Sequence, residues 1–237
     1  MNILALDSSA KTAGVALLRE DRLLYEGYLA TGFTHSETLL QLVDSALTVC
    51  RLTPAEIDCY AVTSGPGSFT GLRIGLALVK GLAAAHDTPC VPVSTLHALA
   101  EGCPADGLIL SAMDARRNEV YTALFRRENG VLRRLTEDGA LPAAAAVQAV
   151  LDAADGQTLP VTLVGDGAQL CYALWPKERS ALLPPEALRT RAAAAAAAIA
   201  RQEAAAGNTV PAAKLRADYH RLCQAEKELR QKMDLLS

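Results

Sequence analysis

The sequence predicts an α/β protein of two lobes, each built as βββαβα, and three observations carry that expectation. Short apolar runs alternate with segments of helical period along the chain. Two of those runs, at 2–7 and 108–114, each end in an aspartate and lead into a hairpin. A length of 237 residues is large for one compact core and small for two independent ones. Laying Asp114 over Asp7, an offset of 107, also sets Ala16-Leu17 on Ala123-Leu124 and Arg19 on Arg126. The polar turn Glu20-Asp21-Arg22 then meets Arg127-Glu128-Asn129, the pattern of an internal duplication.

The elements follow in order. Residues 2–7 are continuously apolar, as suits a buried strand. Residues 14–18 and 23–29 flank the turn 19–22 as a hairpin. Thr34 with Glu37 forms a capping box for a helix reaching Cys50, whose stripe is Leu39, Leu42, Val43, Ala46, Leu47 and Cys50. Strands at 57–62 and 89–93 bracket a helix at 71–86, and another helix spans 94–101. The second lobe continues with helix 143–154, strand 161–164, the turn Gly165-Asp166-Gly167 and helix 168–175. A helix at 185–206 contains the alanine run 192–198, which reads as strong helix propensity. The last piece, 218–236, is a charged amphipathic helix with Tyr219, Leu222, Ala225 or Glu226, Leu229 and Met233 on its stripe and pairs Glu226–Arg230 and Glu228–Lys232. Residues 1–102 plus 217–237 are assigned to lobe one and 103–216 to lobe two.

Composition narrows the function classes. Hydrophobic residues make up 51%, and the net charge of −3 argues against a broad basic surface for nucleic acid. The six cysteines, at 50, 59, 90, 103, 171 and 223, show no C-x-x-C spacing, and most sit in apolar elements, the pattern of reduced thiols. The start MNILALDSS has no basic leader, and no apolar run approaches a membrane span, so a cytoplasmic protein is expected.

The stretch 61–85 stands out. A strand enters the turn Ser64-Gly65-Pro66-Gly67-Ser68 and leaves as a helix, an arrangement that can seat an anion or can simply connect strand and helix tightly. Its spacing fits neither G-x-x-x-x-G-K-[ST] nor G-x-G-x-x-G. The helix is apolar nearly all round, with only Arg73, Lys80 and His86 clearly polar, so both of its faces should be covered. Gly71, Gly75 and Gly81 suit close approach of another helix.

The twelve residues Ser64-Gly65-Pro66-Gly67-Ser68-Phe69-Thr70-Gly71-Leu72-Arg73-Ile74-Gly75 closely resemble the signature of the bacterial TsaB (YeaZ) proteins. Residues 3–9 and the helix start His35-Ser36-Glu37 support the resemblance, which runs over essentially the whole chain. It implies the actin-like ATPase architecture and a role in forming threonylcarbamoyladenosine on tRNA. It implies a catalytic TsaD-like partner and a TsaE-like ATPase, with tRNA reached through the complex. ATP would be used by the assembled system and no cofactor held by this chain, which could form a homodimer when alone. The partner surface is expected at Leu39, Leu42, Val43, Arg73, Leu76, Val79 and Lys80, on the 35–50 and 71–86 helices. Family members carry Tyr-Leu-Arg where this chain has Lys214-Leu215-Arg216, which removes a tyrosine contact.

Catalytic groups are sparse. Active members of the superfamily hold phosphates in hairpin turns, but here the turns are Asp7-Ser8-Ser9-Ala10-Lys11-Thr12 and Asp114-Ala115-Arg116-Arg117-Asn118-Glu119, without the expected glycine. Asp7, Gly165, Asp166 and Gly167 are the remaining nucleotide-site candidates, and Asp114 could face Asp7 across a cleft. TsaD-like proteins hold metal through His-x-x-x-His, but this chain offers His35 with Leu39 as the fourth residue on, so no metal is expected. Gly67-Ser68-Phe69-Thr70-Gly71 is out of place for a nucleophile elbow, which leaves a peptidase unsupported. The reading is a non-catalytic subunit. The alternative is a stand-alone ATP-dependent phosphotransferase or ATPase.

Overall fold

A computed structural model describes residues 1–156 and 159–220. The first lobe comprises β1 (Asn2–Asp7), β2 (Ala13–Arg19), β3 (Arg22–Leu29), α1 (His35–Cys50), β4 (Cys59–Gly65), α2 (Phe69–Ala84), β5 (Cys90–Ser94) and α3 (Thr95–Glu101). Then follow β6 (Gly107–Asp114), β7 (Glu119–Glu128), β8 (Val131–Arg134), β9 (Gly139–Pro142), α4 (Ala143–Ala153), β10 (Val161–Val164), α5 (Ala168–Ala173), α6 (Glu186–Arg189) and α7 (Ala193–Ala205). Sheet one has the order β3-β2-β1-β4-β5. Sheet two has β10-β6-β7-β8, with β9 on the other end of β7. In each sheet an antiparallel hairpin supplies the first two strands and a parallel partner joins the first of them, so the βββαβα plan is present twice.

Strand alternation divides the core into three parts. Leu4, Leu6, Val15 and Leu17 face outward under α1 and α2. Leu108, Leu110, Ala112 and Leu124 face outward under α4 and α5. Ile3, Ala5 and Ala16 of sheet one share the central core with Ile109, Ala123 and Phe125 of sheet two, and α3 and α7 lie in that layer.

These facings correct the expected register of the duplication. Ala5 pairs with Ala16, whereas Ser111 pairs with Ala123, so the second hairpin turn is one residue longer. Leu6 therefore matches Ala112 and Asp7 matches Met113, with Asp114 one step further out.

The expected helix 185–206 is broken into α6 and α7. The carbonyl of Arg189 accepts the Gly165 N–H (2.7 Å), Thr190 Oγ1 lies 2.9 Å from Tyr28 Oη, and Arg191 pairs with Glu26. Three partners from elsewhere in the fold hold the stretch that propensity would make helical. Nor does α7 stay with lobe two: it packs on β1, β2, β4 and β5. Val210 bridges Cys90, and Leu215 is buried under sheet one's outer face. The described chain from 193 to 220 thus packs on lobe one, although 103–216 was expected in lobe two.

Propensity explains why α7 forms, and side-chain size explains where it sits. Ala193, Ala196, Ala197 and Ala200 are buried between sheet one and α3, and the Ala193 Cβ is so near that one added at Gly14 would lie 3.1 Å from it. Among the described residues no helix is long and apolar enough to cross a membrane. The helix expected at 218–236, with its pairs Glu226–Arg230 and Glu228–Lys232, lies mostly outside the described residues.

Overpacking tests the role of the alanine run. Ala197→Leu should cost about 1–3 kcal/mol of stability, whereas Ala205→Leu, exposed on the same helix, should stay within about 0.5 kcal/mol. Denaturant midpoints read both.

Candidate functional site

The glycine turn is a packing device. A Cβ at Gly67 would lie 2.4 Å from the Ser9 carbonyl oxygen, one at Gly71 2.0 Å from the Ser8 carbonyl oxygen, and one at Gly75 2.4 Å from Ser8 Oγ. Ser8 Oγ donates to the Gly71 carbonyl at 2.9 Å, and Ser68 N–H donates to the Ser9 carbonyl at 2.6 Å. Ser68 then caps α2 by accepting the Gly71 N–H, which starts the helix at Phe69, two residues before the expected Gly71. Two N–H groups that an anion would use are therefore spent on the protein itself. Gly65, at φ +138°, lets Asp218 N–H reach the Ser64 carbonyl (2.8 Å).

Between the lobes lies a cleft of about 400 Å³, walled by the β1–β2 turn (Ser9, Lys11), the start of α2 (Ser68, Thr70) and the β6–β7 side (Asp114, Arg116, Asp166). Asp7, a nucleotide-site candidate, is not part of its wall. It is buried, and its Oδ1 accepts from Thr63 Oγ1 (2.7 Å), Ser9 Oγ (2.6 Å) and Ser9 N–H (3.1 Å). Gly165 and Gly167 let the β10–α5 turn press on β6, where a Cβ at Gly165 would meet the Ala112 carbonyl oxygen at 2.1 Å. Their N–H groups go to the Arg189 and Ala112 carbonyls. Of the four candidates only Asp166 faces the cleft. It accepts the Asp114 N–H at 3.0 Å. Burial pushes its carboxyl above the usual range; that hydrogen bond opposes the shift, and the Asp114 charge adds to it.

The turn after β6 is unusual. Arg116, Arg117 and Asn118 all have positive φ (67°, 57° and 60°) with no glycine among them, a conformation that costs side-chain-bearing residues about 1–2 kcal/mol each. Arg116 pairs with Asp114 at 3.3 Å on the cleft wall. All three side chains are exposed, and of them Arg116 lines the cleft.

Other candidate groups are also engaged. His35 Nε2 sits 2.8 Å from the Ala10 carbonyl, and Leu39, one turn on, is core. Cys50, Cys59, Cys90, Cys103 and Cys171 are free thiols; burial pushes Cys59 up to about 12 and Cys90 and Cys171 up to about 11, which suppresses the reactive thiolate. Among the described residues no three His, Cys, Asp or Glu side chains converge as a metal set.

The expected partner surface requires correction. Leu39, Leu42, Val43, Leu76 and Val79 are between 0 and 8% exposed, because they are the inner stripes of α1 and α2 resting on β1, β2 and β4. A helix apolar all round buries its bulkiest stripe on its own sheet first. Arg73 and Lys80 do lie on the outer side. The apolar groups left there are Ile74, Leu78 and Leu82, half-buried, with Ala77 and Gly81 exposed. Leu40 and Val49 are exposed on α1. The all-round apolar pattern signalled this second face, but the spacing alone did not say which stripe it was.

A further cluster escaped the sequence reading. Phe69 stacks on Tyr219 with centroids 4.8 Å apart, the Arg73 guanidinium lies 3.8 Å over the Phe69 ring, and Arg73 Nε donates to Tyr219 Oη at 3.0 Å. The tyrosine missing from Lys214-Leu215-Arg216 leaves Leu215 in the core, and Tyr219 supplies an aromatic contact to α2.

Comparisons with known proteins agree with this geometry. The family model described as TsaD, tRNA N6-adenosine threonylcarbamoyltransferase, matches residues 31–235. The tRNA threonylcarbamoyladenosine biosynthesis protein TsaB of Bacillus subtilis is 43% identical over 139 residues, covering 58% of this chain and 61% of its own length. The Escherichia coli protein of the same name is 37% identical over 135 residues, covering 55% of this chain and 58% of its own. The match thus spans less than two thirds of these relatives. The structure of YeaZ from Pseudomonas aeruginosa superposes with a TM-score of 0.77 at 29% identity, covering 92% of this chain and 99% of that one. The Acidaminococcus fermentans (R)-2-hydroxyglutaryl-CoA dehydratase component A shares the actin-like fold at a TM-score of 0.52 and 12% identity, over 86% of this chain and 99% of that one.

Two measurements check the site. Gly71→Ala should destabilise by about 1–3 kcal/mol through its clash with Ser8, while Gly81→Ala, which meets nothing within 4 Å, should gain up to about 1 kcal/mol of helix propensity. Asp166 makes the second. A carboxyl raised in the folded state holds its proton more tightly there, so its contribution to stability falls as pH rises from about 3.8 through the folded value. Asp166→Asn should remove that fall, leaving a flatter stability profile from pH 3.5 to 7 by thermal melts.

Proposed function

The chain belongs to the TsaD family and is one of its TsaB (YeaZ) members, and from that premise we propose that it is a non-catalytic subunit required for threonylcarbamoyladenosine formation on tRNA. A catalytic TsaD-like protein docks on it, a TsaE-like ATPase joins them, and tRNA is engaged through the complex in the cytosol. The observation that carries this reading is the outer face of α2, where Ile74, Ala77, Leu78, Gly81 and Leu82 lie partly or fully open to solvent over the described residues. A second helical protein, or a second copy of this chain, would remove that surface from water, and the small residues let it approach closely.

The cleft supports the non-catalytic half of the proposal. Asp7 is consumed by Thr63 and Ser9, the Ser68, Gly165 and Gly167 N–H groups by backbone carbonyls and that of Gly71 by the Ser68 hydroxyl, and the second hairpin sets Arg116 on the cleft wall. The alternative, a stand-alone ATPase or phosphotransferase, lacks a free carboxylate beside an open backbone cradle.

Two experiments test the proposal. Tenfold weaker capture by an immobilised TsaD-like protein is expected for Ala77→Glu, with stability within about 0.5 kcal/mol of the parent. Val79→Glu, by contrast, should unfold the protein, because it buries an unpaired charge. tRNA modification by the reconstituted mixture should require this chain, and the chain alone should not hydrolyse ATP; modification proceeding equally well without it would refute the assignment.

A further inference from the structure

A second cavity, of about 590 Å³, shares no residue with the cleft and falls in the roughly 300–1,000 Å³ range of small-molecule sites. It lies where the expected helix 185–206 is broken. Leu99 of α3, Val164 of β10 and the short Ala194 and Ala195 of α7 line it. Leu182 and Leu188 line it too, yet remain 56% and 60% exposed. Apolar surface is thus left open around a hollow.

Its arginines differ in what they hold. Arg191 uses the edge formed by Nε and Nη2 to grip both oxygens of Glu26, the one acid among the described lining residues. Arg189 donates from Nη1 to the Pro184 carbonyl at 3.0 Å, but its Nε is buried without a partner. Its Nη2 makes no hydrogen bond among the described residues. The free Nε–Nη2 edge is the one that matches a carboxylate with two parallel bonds. An acceptor there would relieve the cost of an unsatisfied buried donor. A peptide strand has less to hold, because the β10 edge is already taken. Leu163 N–H donates to the Leu182 carbonyl, and Leu182 N–H to that of Val161.

We infer that this cavity binds an apolar monocarboxylate, with its carboxylate on the Nε–Nη2 edge of Arg189 and its hydrocarbon part against Leu99, Val164 and Ala194. The walls come from α7, packed on sheet one, and from β10 of sheet two. The ligand therefore touches both lobes, and its binding should raise the melting temperature. The inference does not rest on the proposed function.

Calorimetric titration of the full chain with octanoate tests it. A single saturable site is expected. Octanol should bind it about tenfold more weakly, and Arg189→Gln should weaken octanoate by the same factor, equal to 1.4 kcal/mol. Leu188→Glu changes an exposed rim residue, so the fold is not at stake. It should weaken octanoate as much by setting a negative charge beside the carboxylate, and Leu188→Lys should not. The rise in melting temperature should follow the same order. No saturation below about 1 mM octanoate, equal affinity for octanol, or unchanged affinity in the Arg189→Gln and Leu188→Glu proteins would each overturn the inference. Tighter binding of acetylated trileucine than of octanoate would also overturn it, in favour of the apolar C-terminus of a protein.

Discussion

The contact on which the rest of this structure depends is the seat of α2 on the β1–β2 turn. Ser8 and Ser9 lie against Gly67, Gly71 and Gly75, at distances no side chain could occupy. Ser8 Oγ and the Ser9 carbonyl bond the helix start directly. That contact sets how α2 lies on sheet one and hence which of its faces rests on β4 and which points away. It also uses up donors that could otherwise hold an anion. One packing constraint therefore accounts both for an exposed apolar helix face and for turn donors that are bonded within the protein.

The cleft illustrates how a duplicated frame diverges in its details. Both lobes keep the hairpin and the parallel partner strand, but the second turn is one residue longer, so Met113 stands where Asp7 stands in the first. Polarity is rebuilt in lobe two from the other strand, with Asp166 after β10 accepting the Asp114 N–H. In lobe one the carboxylate is on β1 and the hydroxyl of Thr63 comes from β4. Asp7 thus ends β1 in lobe one, while lobe two sets Asp114 at the end of β6 beside Asp166 after β10.

α7 and the chain after it hold the halves together. Its alanines are small enough to lie flat on sheet one while α3 reaches across to sheet two. Arg191–Glu26 and Tyr28–Thr190 fasten the segment before it to β3. The lobes are consequently not consecutive pieces of chain, because the described chain from 193 to 220 packs largely on the first.

Much of this was legible in the sequence, where it depended on local periodicity. Residues 2–7 and 161–164 are strands as read, and the Thr34–Glu37 capping box starts α1, with the Glu37 carboxylate accepting the Thr34 N–H and hydroxyl. The apolar pattern of α2 announced two apolar faces, of which one rests on sheet one and the other is partly open to solvent, and the signature 64–75 indicated the family. Tertiary structure decided the rest, since each remaining question concerned which of two equivalent choices a distant partner favours. Leu76 and Val79, not Ile74 and Leu78, face the sheet because the glycine rail fixes the roll of α2. The helix 185–206 breaks at Thr190 because Gly165 and Tyr28 outbid its own turn for hydrogen bonds. Asp114 falls out of step with Asp7 because the second turn carries one extra residue, and no alignment of two apolar strands reveals which face each residue takes.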